Sequence, residues 1–121
     1  MREIKFRAWD KEFQLMRYLE PPDYSYGIVH LKDIFIEEKF IPMQFTGLFD
    51  RNDKEIYEGD ILGGIEECPD IRIVIKFEDG AFGYDYSEDF IKQKNMNKYI
   101  QQFEILGNIY MNPELLKKGD N

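Results

Sequence analysis

This chain is short of the residues that most chemistry uses. Its 121 residues include one cysteine, one histidine, two serines and one threonine. Cys68 alone can form no disulfide within the chain, which suits a reducing compartment. One cysteine and one histidine do not make a zinc site. Nucleophilic catalysis has only Ser25, Ser87, Thr46 and Cys68 to draw on, with His30 as the sole base of its type. No spacing sets these beside an orienting acid. Cys68 sits among Glu66, Glu67 and Asp70, whose charge works against a thiolate. His30, between Val29 and Leu31, reads as an edge or surface residue. A dinucleotide-type glycine motif and a phosphate loop are both missing, and Gly63-Gly64 reads as a bulge or bend. No catalytic, cofactor-binding or metal-ligating residue is assigned, and no cofactor is expected.

Long apolar runs are lacking too. Ile61 to Ile65 falls far short of the roughly 20 residues that span a bilayer. Met1 to Arg7 alternates charge with apolar residues, unlike a signal peptide. The expectation is a soluble, cytoplasmic protein without a membrane partner.

Positive charge is scarce: 16 Lys and Arg face 24 Asp and Glu, for a net charge of −8. Nucleic acid is therefore not an expected partner, because its phosphates need neutralising. Only Lys5, Arg7, Lys11 and Arg17 could group into a basic patch. The acidity is concentrated in residues 50–89, with 13 acidic and 4 basic side chains, a net of −9. Solubility is its simplest explanation. If the carboxylates share one face, the region instead mimics nucleic acid and inhibits a DNA-binding protein. If Asp53, Glu55, Glu58 and Asp60 converge, they resemble the hard-cation site of a metal-dependent enzyme. As an EF-hand, residues 50–61 fail, with Lys54, Glu55 and Ile61 at positions 5, 6 and 12. Asp60 also has a structural reading, as a carboxylate pinning the Glu58-Gly59-Asp60 turn through backbone N–H groups.

What is plentiful is aromatic and apolar surface. Aromatics make up 16% of the chain and hydrophobic residues 43%, enough for one domain over residues 1–121 that buries about two thirds of its unfolded surface. Ile4 to Trp9 alternates with period two and reads as a half-buried strand, with Ile4, Phe6 and Ala8 opposite Lys5, Arg7 and Trp9. Phe13 to Tyr18 returns. Pro21-Pro22 breaks the pattern, residues 23–29 read as loop or edge, and residues 31–40 fit helix or strand. Met43 to Phe49 is a strand with Gly47 marking a bulge or close approach. Asp50 to Asp53 is a turn, and Glu55 to Tyr57 pairs back. Ile71 to Glu78 is the clearest strand, with Ile71, Ile73, Ile75 and Phe77 on one face. Asp79-Gly80 signals a hairpin, returning through Ala81 to Tyr86. Ser87 is a candidate cap for a short helix with Phe90, Ile91, Tyr99 and Ile100 on its inner side, while the polar stretch Lys92 to Asn97 also fits a loop. Residues 103–110 form a last strand interrupted at Gly107-Asn108. Asn112-Pro113 opens a short C-terminal helix that Gly119 ends. Close-spaced strands separated by turn signals indicate a mainly β, antiparallel barrel or sandwich. Trp9, Phe82, Tyr84 and Tyr86, spread over more than one face, are the candidate partner-binding residues.

Several blocks together resemble the YopX family of bacteriophage and prophage proteins. Arg2-Glu3-Ile4-Lys5-Phe6-Arg7-Ala8-Trp9-Asp10 looks like its opening strand. Met43 to Leu48, followed by Lys54-Glu55-Ile56-Tyr57-Glu58-Gly59-Asp60-Ile61, looks like its core signature. Phe103 to Tyr110 with Asn112-Pro113-Glu114-Leu115-Leu116 is similar to its C-terminus. The resemblance spans essentially the whole chain. It implies a small SH3-like barrel with extra strands, a phage or prophage origin and the bacterial cytoplasm, and it supplies no activity. Asp50-Arg51-Asn52-Asp53 departs from the glycine-bearing turn that family often has. The resulting expectation is an accessory, non-catalytic interaction module that binds a host or phage protein and self-associates as a homo-oligomer.

Overall fold

The computed structural model describes residues 4–19, 25–26, 29–86, 89–92 and 97–117. The chain divides into two compact units, Met1–Gly47 and Leu48–Asn121. Antiparallel ladders join the strands within each unit. Among the described residues no helix is long and apolar enough to cross a membrane.

In the first unit, β1 (Phe6–Asp10) lies between β2 (Leu15–Leu19) and β5, whose full span is Phe40–Phe49. Phe6 faces Leu19 across one ladder, and Asp10 faces Phe40 across the other. Two-residue strands β3 (Ser25–Tyr26) and β4 (Val29–His30) pair with each other inside the stretch expected to be loop or edge. The ambiguous 31–40 segment is resolved as both: helix α1 (Leu31–Ile36), then the start of β5. Ile34 of α1 is buried with Ala8, Leu19 and Phe40, and Phe6 packs on the cluster. The half-buried reading of β1 needs correcting, because Arg7 and Trp9 on its other face are 2% and 6% exposed. Rings make that tolerable for the cations. Arg7 lies 5.9 Å from the Tyr18 ring centroid and Lys5 lies 5.5 Å from that of Phe45, geometry that favours a cation over an aromatic face.

In the second unit, the last residues of β5 lead through the Asp50 turn to β6 (Glu55–Tyr57). One three-stranded sheet runs β12 (Glu104–Asn108), β7 (Asp60–Gly63), β8 (Ile73–Val74). A second runs β11 (Asp89–Lys92), β10 (Ala81–Tyr86), β9 (Lys76–Glu78). The expected single strand 71–78 is thus divided between two sheets. At the break, Ile75 donates its N–H to the Asp60 carbonyl (3.0 Å) and accepts from the Gly59 N–H (2.8 Å). Ile73 and Ile75 are buried, but Ile71 and Phe77 from the same alternating row are exposed. Ile56, Leu62, Ile73, Ile75 and Ile100 make the core of this unit. The Asp79-Gly80 hairpin is present, with φ of 52° and 77°, as a two-residue turn of the primed type requires.

Two helix expectations are corrected. Phe90 and Ile91 belong to β11, facing Asp85 and Tyr84; cross-strand pairing outweighs the local capping signal. Among the described residues of that stretch the helical ones are Asn97–Ile100 (α2), and Ser87 lies outside the described residues. At the C-terminus Pro113–Leu116 is a 3-10 turn, not an α-helix, and Asn112 makes no side-chain cap bond. Its Oδ1 instead accepts the N–H of Asn108 at 3.2 Å. Gly119 lies outside the described residues.

Candidate functional site

The acidic side chains divide into anchors and surface groups. Asp50 is buried. Its Oδ1 accepts the N–H groups of Asn52 (2.8 Å) and Lys54 (2.9 Å), and its Oδ2 accepts that of Ile105 (2.9 Å). Burial pushes its carboxyl up, but the three N–H donors, with Lys54 nearby, outweigh burial and hold it below the ordinary value. Asp60 Oδ2 accepts the N–H of Tyr57 at 2.8 Å, the turn-pinning role its sequence position indicated. In the first unit Asp10 does the same for the β1–β2 turn. Its Oδ1 accepts from Glu12 (2.9 Å) and Phe13 (3.0 Å), and its Oδ2 from Arg17 Nε (2.8 Å). There too burial raises the carboxyl and is outweighed, by the Phe13 N–H, Arg17 and the Glu12 N–H. Asn108 supplies the neutral version, accepting from Tyr110 (3.0 Å) and Met111 (2.9 Å).

Among the described residues no three His, Cys, Asp or Glu side chains form a group able to hold a metal ion. Asp53, Glu55, Glu58 and Asp60 therefore do not converge as a cation site; Asp53 is exposed on its turn while Asp60 is buried in the next. The acidic stretch does not present an unbroken row of carboxylates either. Asp50 and Asp60 point inward, and Glu78 and Asp85 both pair with Lys76. Asp85 first, then Glu78, raises the Lys76 ammonium above its ordinary value. Of the four cations expected to form a basic patch, Lys5 and Arg7 are buried, Arg17 is tied to Asp10 and Lys11 is exposed.

Of the four aromatic candidates, Trp9 and Phe82 are buried. Trp9 (6% exposed) belongs to the first unit and Phe82 (2%) to the second. Tyr84 is half-buried against the second core, and the side chain of Tyr86 lies outside the described residues. Exposed apolar groups lie elsewhere, and sequence reasoning missed them. Phe13, at the β1–β2 turn, is 60% exposed, and Tyr18 and Leu15 of β2 are 42% and 38% exposed. Arg17 and Lys39 lie 5.7 and 5.9 Å from the Phe13 ring centroid and hold it in place. The available signal was an aromatic placed directly after the polar turn Asp10-Lys11-Glu12.

A cleft of about 600 Å³ opens in the second unit. Arg51, Gly64, Ile65, Glu66, Pro69, Arg72 and Leu106 line it. Arg51 donates to the Gly64 carbonyl (2.7 Å) and pairs with Glu104. Leu106 reaches the cleft from a bulge in β12, where the register shifts between Ile105 and Gly107. Cys68 is an exposed thiol on the adjoining loop.

A family model described as YopX protein matches residues 5–117. The chain belongs to the YopX family. A crystal structure of protein EF1440 from Enterococcus faecalis is 28% identical, with a TM-score of 0.66, and the match covers 97% of this chain and all of that one. The structure of yopX from Bacillus subtilis is 21% identical, with a TM-score of 0.57, over 93% of this chain and 98% of that one. It shares the fold. No curated protein matches the chain. Within this YopX-family chain, three of the blocks that carry the resemblance contain the buried anchors Asp10, Asp60 and Asn108. The departing turn is also accounted for: Asp53 takes φ of 63°, the left-handed conformation in which Asp substitutes for Gly at modest cost.

Proposed function

We propose that this YopX-family chain is a non-catalytic interaction module of a phage or prophage, acting in the bacterial cytoplasm on a host or phage protein and on copies of itself. In the same reading its strands curl into the small SH3-like barrel that the resemblance implies. The observation that carries the proposal is the β2 edge. Among the described residues β2 ends its sheet, with Leu15 and Tyr18 exposed on it and Phe13 exposed on the turn before it. A terminal strand offers backbone donors and acceptors to an added strand, and exposed rings beside it supply apolar contact. Arg17 and Lys39 fix the Phe13 ring beforehand, so less side-chain freedom is lost on binding.

Sedimentation of the purified chain over a range of concentrations tests this, beside a Phe13→Ser/Leu15→Ser double variant. The parent is expected to self-associate and the variant to sediment as a monomer with unchanged circular dichroism. A parent that stays monomeric and retains no host protein on an affinity column removes the proposal.

A further inference from the structure

The cleft holds a cation that the rest of the unit does not neutralise. Arg72 Nη1 donates to the carbonyls of Pro69 (2.8 Å) and Ile71 (3.0 Å). Among the described residues those are its hydrogen bonds, and no carboxylate pairs with it, although Glu66, Glu67 and Asp70 precede it closely. Its Nε is buried without an acceptor, a costly condition for a guanidinium. The second arginine of the cleft, Arg51, differs in being paired with Glu104.

The Gly63-Gly64 pair makes this arrangement possible. A Cβ on Gly63 would come within 2.7 Å of Leu106 Cδ1, 3.0 Å of the Ile71 carbonyl oxygen and 3.2 Å of Arg72 Nη1. A Cβ on Gly64 would stand 3.3 Å from Arg51 Nη2. Both guanidinium groups therefore lie against bare backbone, and Leu106, Ile65 and Pro69 add apolar wall.

The charges select the ligand. Arg51 and Glu104 cancel, and Glu66 on the lining opposes a second negative charge. Arg72 is thus the one cation of the lining without a paired carboxylate, on a lining whose formal charges balance, and such a site beside an apolar wall fits a singly charged acid better than a phosphate dianion. A carboxylate matches the planar fork of arginine, and about 600 Å³ is a volume typical of small-ligand sites. We propose that this cleft binds the carboxylate of an acid with an apolar body, and that Arg72 is the group that receives it. The acid is either a free molecule or the C-terminus of another protein chain. The site is separate from the β2 edge and does not depend on that reading.

Calorimetric titration of the full chain with N-acetyl-leucine, N-acetyl-leucinamide and inorganic phosphate tests the proposal, with residue-resolved NMR shifts to locate binding. The acid is expected to saturate in the millimolar range, shifting residues 63–72 and 106, with the amide and phosphate at least about tenfold weaker. Arg72→Gln is expected to weaken the acid by about tenfold or more, and Glu66→Gln to tighten it several-fold; the second variant keeps the test open if the first does not fold. A short peptide ending in leucine with a free carboxylate separates the two sources: tighter binding than N-acetyl-leucine assigns a chain terminus, equal binding a free acid. Equal binding of acid and amide, phosphate tighter than the acid, no effect of either variant, or no saturation by about 10 mM overturns the proposal.

Discussion

The carboxylate of Asp50 holds the backbone N–H of Ile105 at 2.9 Å across 55 positions of sequence. The same side chain closes its own turn through Asn52 and Lys54. One buried charge thus fixes a local hairpin and fastens it to the last strand.

Replacing Asp50 by Ala leaves three backbone donors without their charged acceptor. Bonds to charged groups contribute about 1.5–3 kcal/mol each, and relaxation recovers part of that. The expected loss is on the order of 3 kcal/mol in urea unfolding, with Asp50→Asn intermediate because its amide retains one acceptor oxygen. An unchanged midpoint for Asp50→Ala would mean that the anchor contributes nothing.

Acid sensitivity follows from the same geometry. Asp10 and Asp50 both have carboxyls held below the ordinary value of 3.8 in the folded chain. Their stabilisation is complete above the ordinary carboxylate range and is lost as pH falls through it towards the lowered folded values. Urea midpoints are expected to be flat near neutrality and to drop below about pH 5. An Asp10→Asn/Asp50→Asn variant is expected to start lower and drop less; an equally steep drop would place the acid sensitivity elsewhere.

The turn at Asp53 gives a conformational prediction. Asp53 N–H bonds to the Asp50 carbonyl (3.0 Å) and Asp50 N–H to that of Lys54 (2.9 Å), a three-residue loop whose last position is left-handed. Asp53→Val is expected to cost about 1–2 kcal/mol. Asp53→Gly is expected to match or exceed the parent in thermal melts. A valine variant as stable as the glycine one would contradict that backbone geometry.

Gly83 is constrained by space. A Cβ there would stand 2.3 Å from the Ile91 carbonyl oxygen and 2.8 Å from the Phe90 ring, so β10 and β11 would have to separate. Gly83→Ala is expected to lose at least about 2 kcal/mol, in the range of overpacked cores, and to speed amide hydrogen exchange in Asp89–Lys92. Slow exchange there in the variant would show that the strands do not part.

Turn chemistry was legible in the sequence. Asp79-Gly80 signals its hairpin, and Asp60 beside Gly59 signals a pinned turn, because both depend on contacts a few residues apart. The family was legible for a related reason: its blocks surround such turns. The 71–78 segment was not. Its alternation suits any sheet, and which sheet each half joins depends on Gly59 and Asp60, more than ten positions away. Phe90 and Ile91 were misread for the same reason, since a capping residue acts locally while Asp85 and Tyr84 sit on the partner strand.

The acidic excess and the aromatic excess mark the limit of composition. Sequence alone determined that the chain is mainly β, has little nucleophile chemistry to offer and carries its negative charge in residues 50–89. Only tertiary structure decided that Asp50 is a buried anchor reaching Ile105, that Trp9 and Phe82 are interior while Phe13 and Tyr18 are exposed, and that Arg72 lines a cleft with no carboxylate paired to it among the described residues. Charge and hydrophobicity are properties of residues. Burial and pairing are properties of positions, and those are set by strand partners distant in the chain.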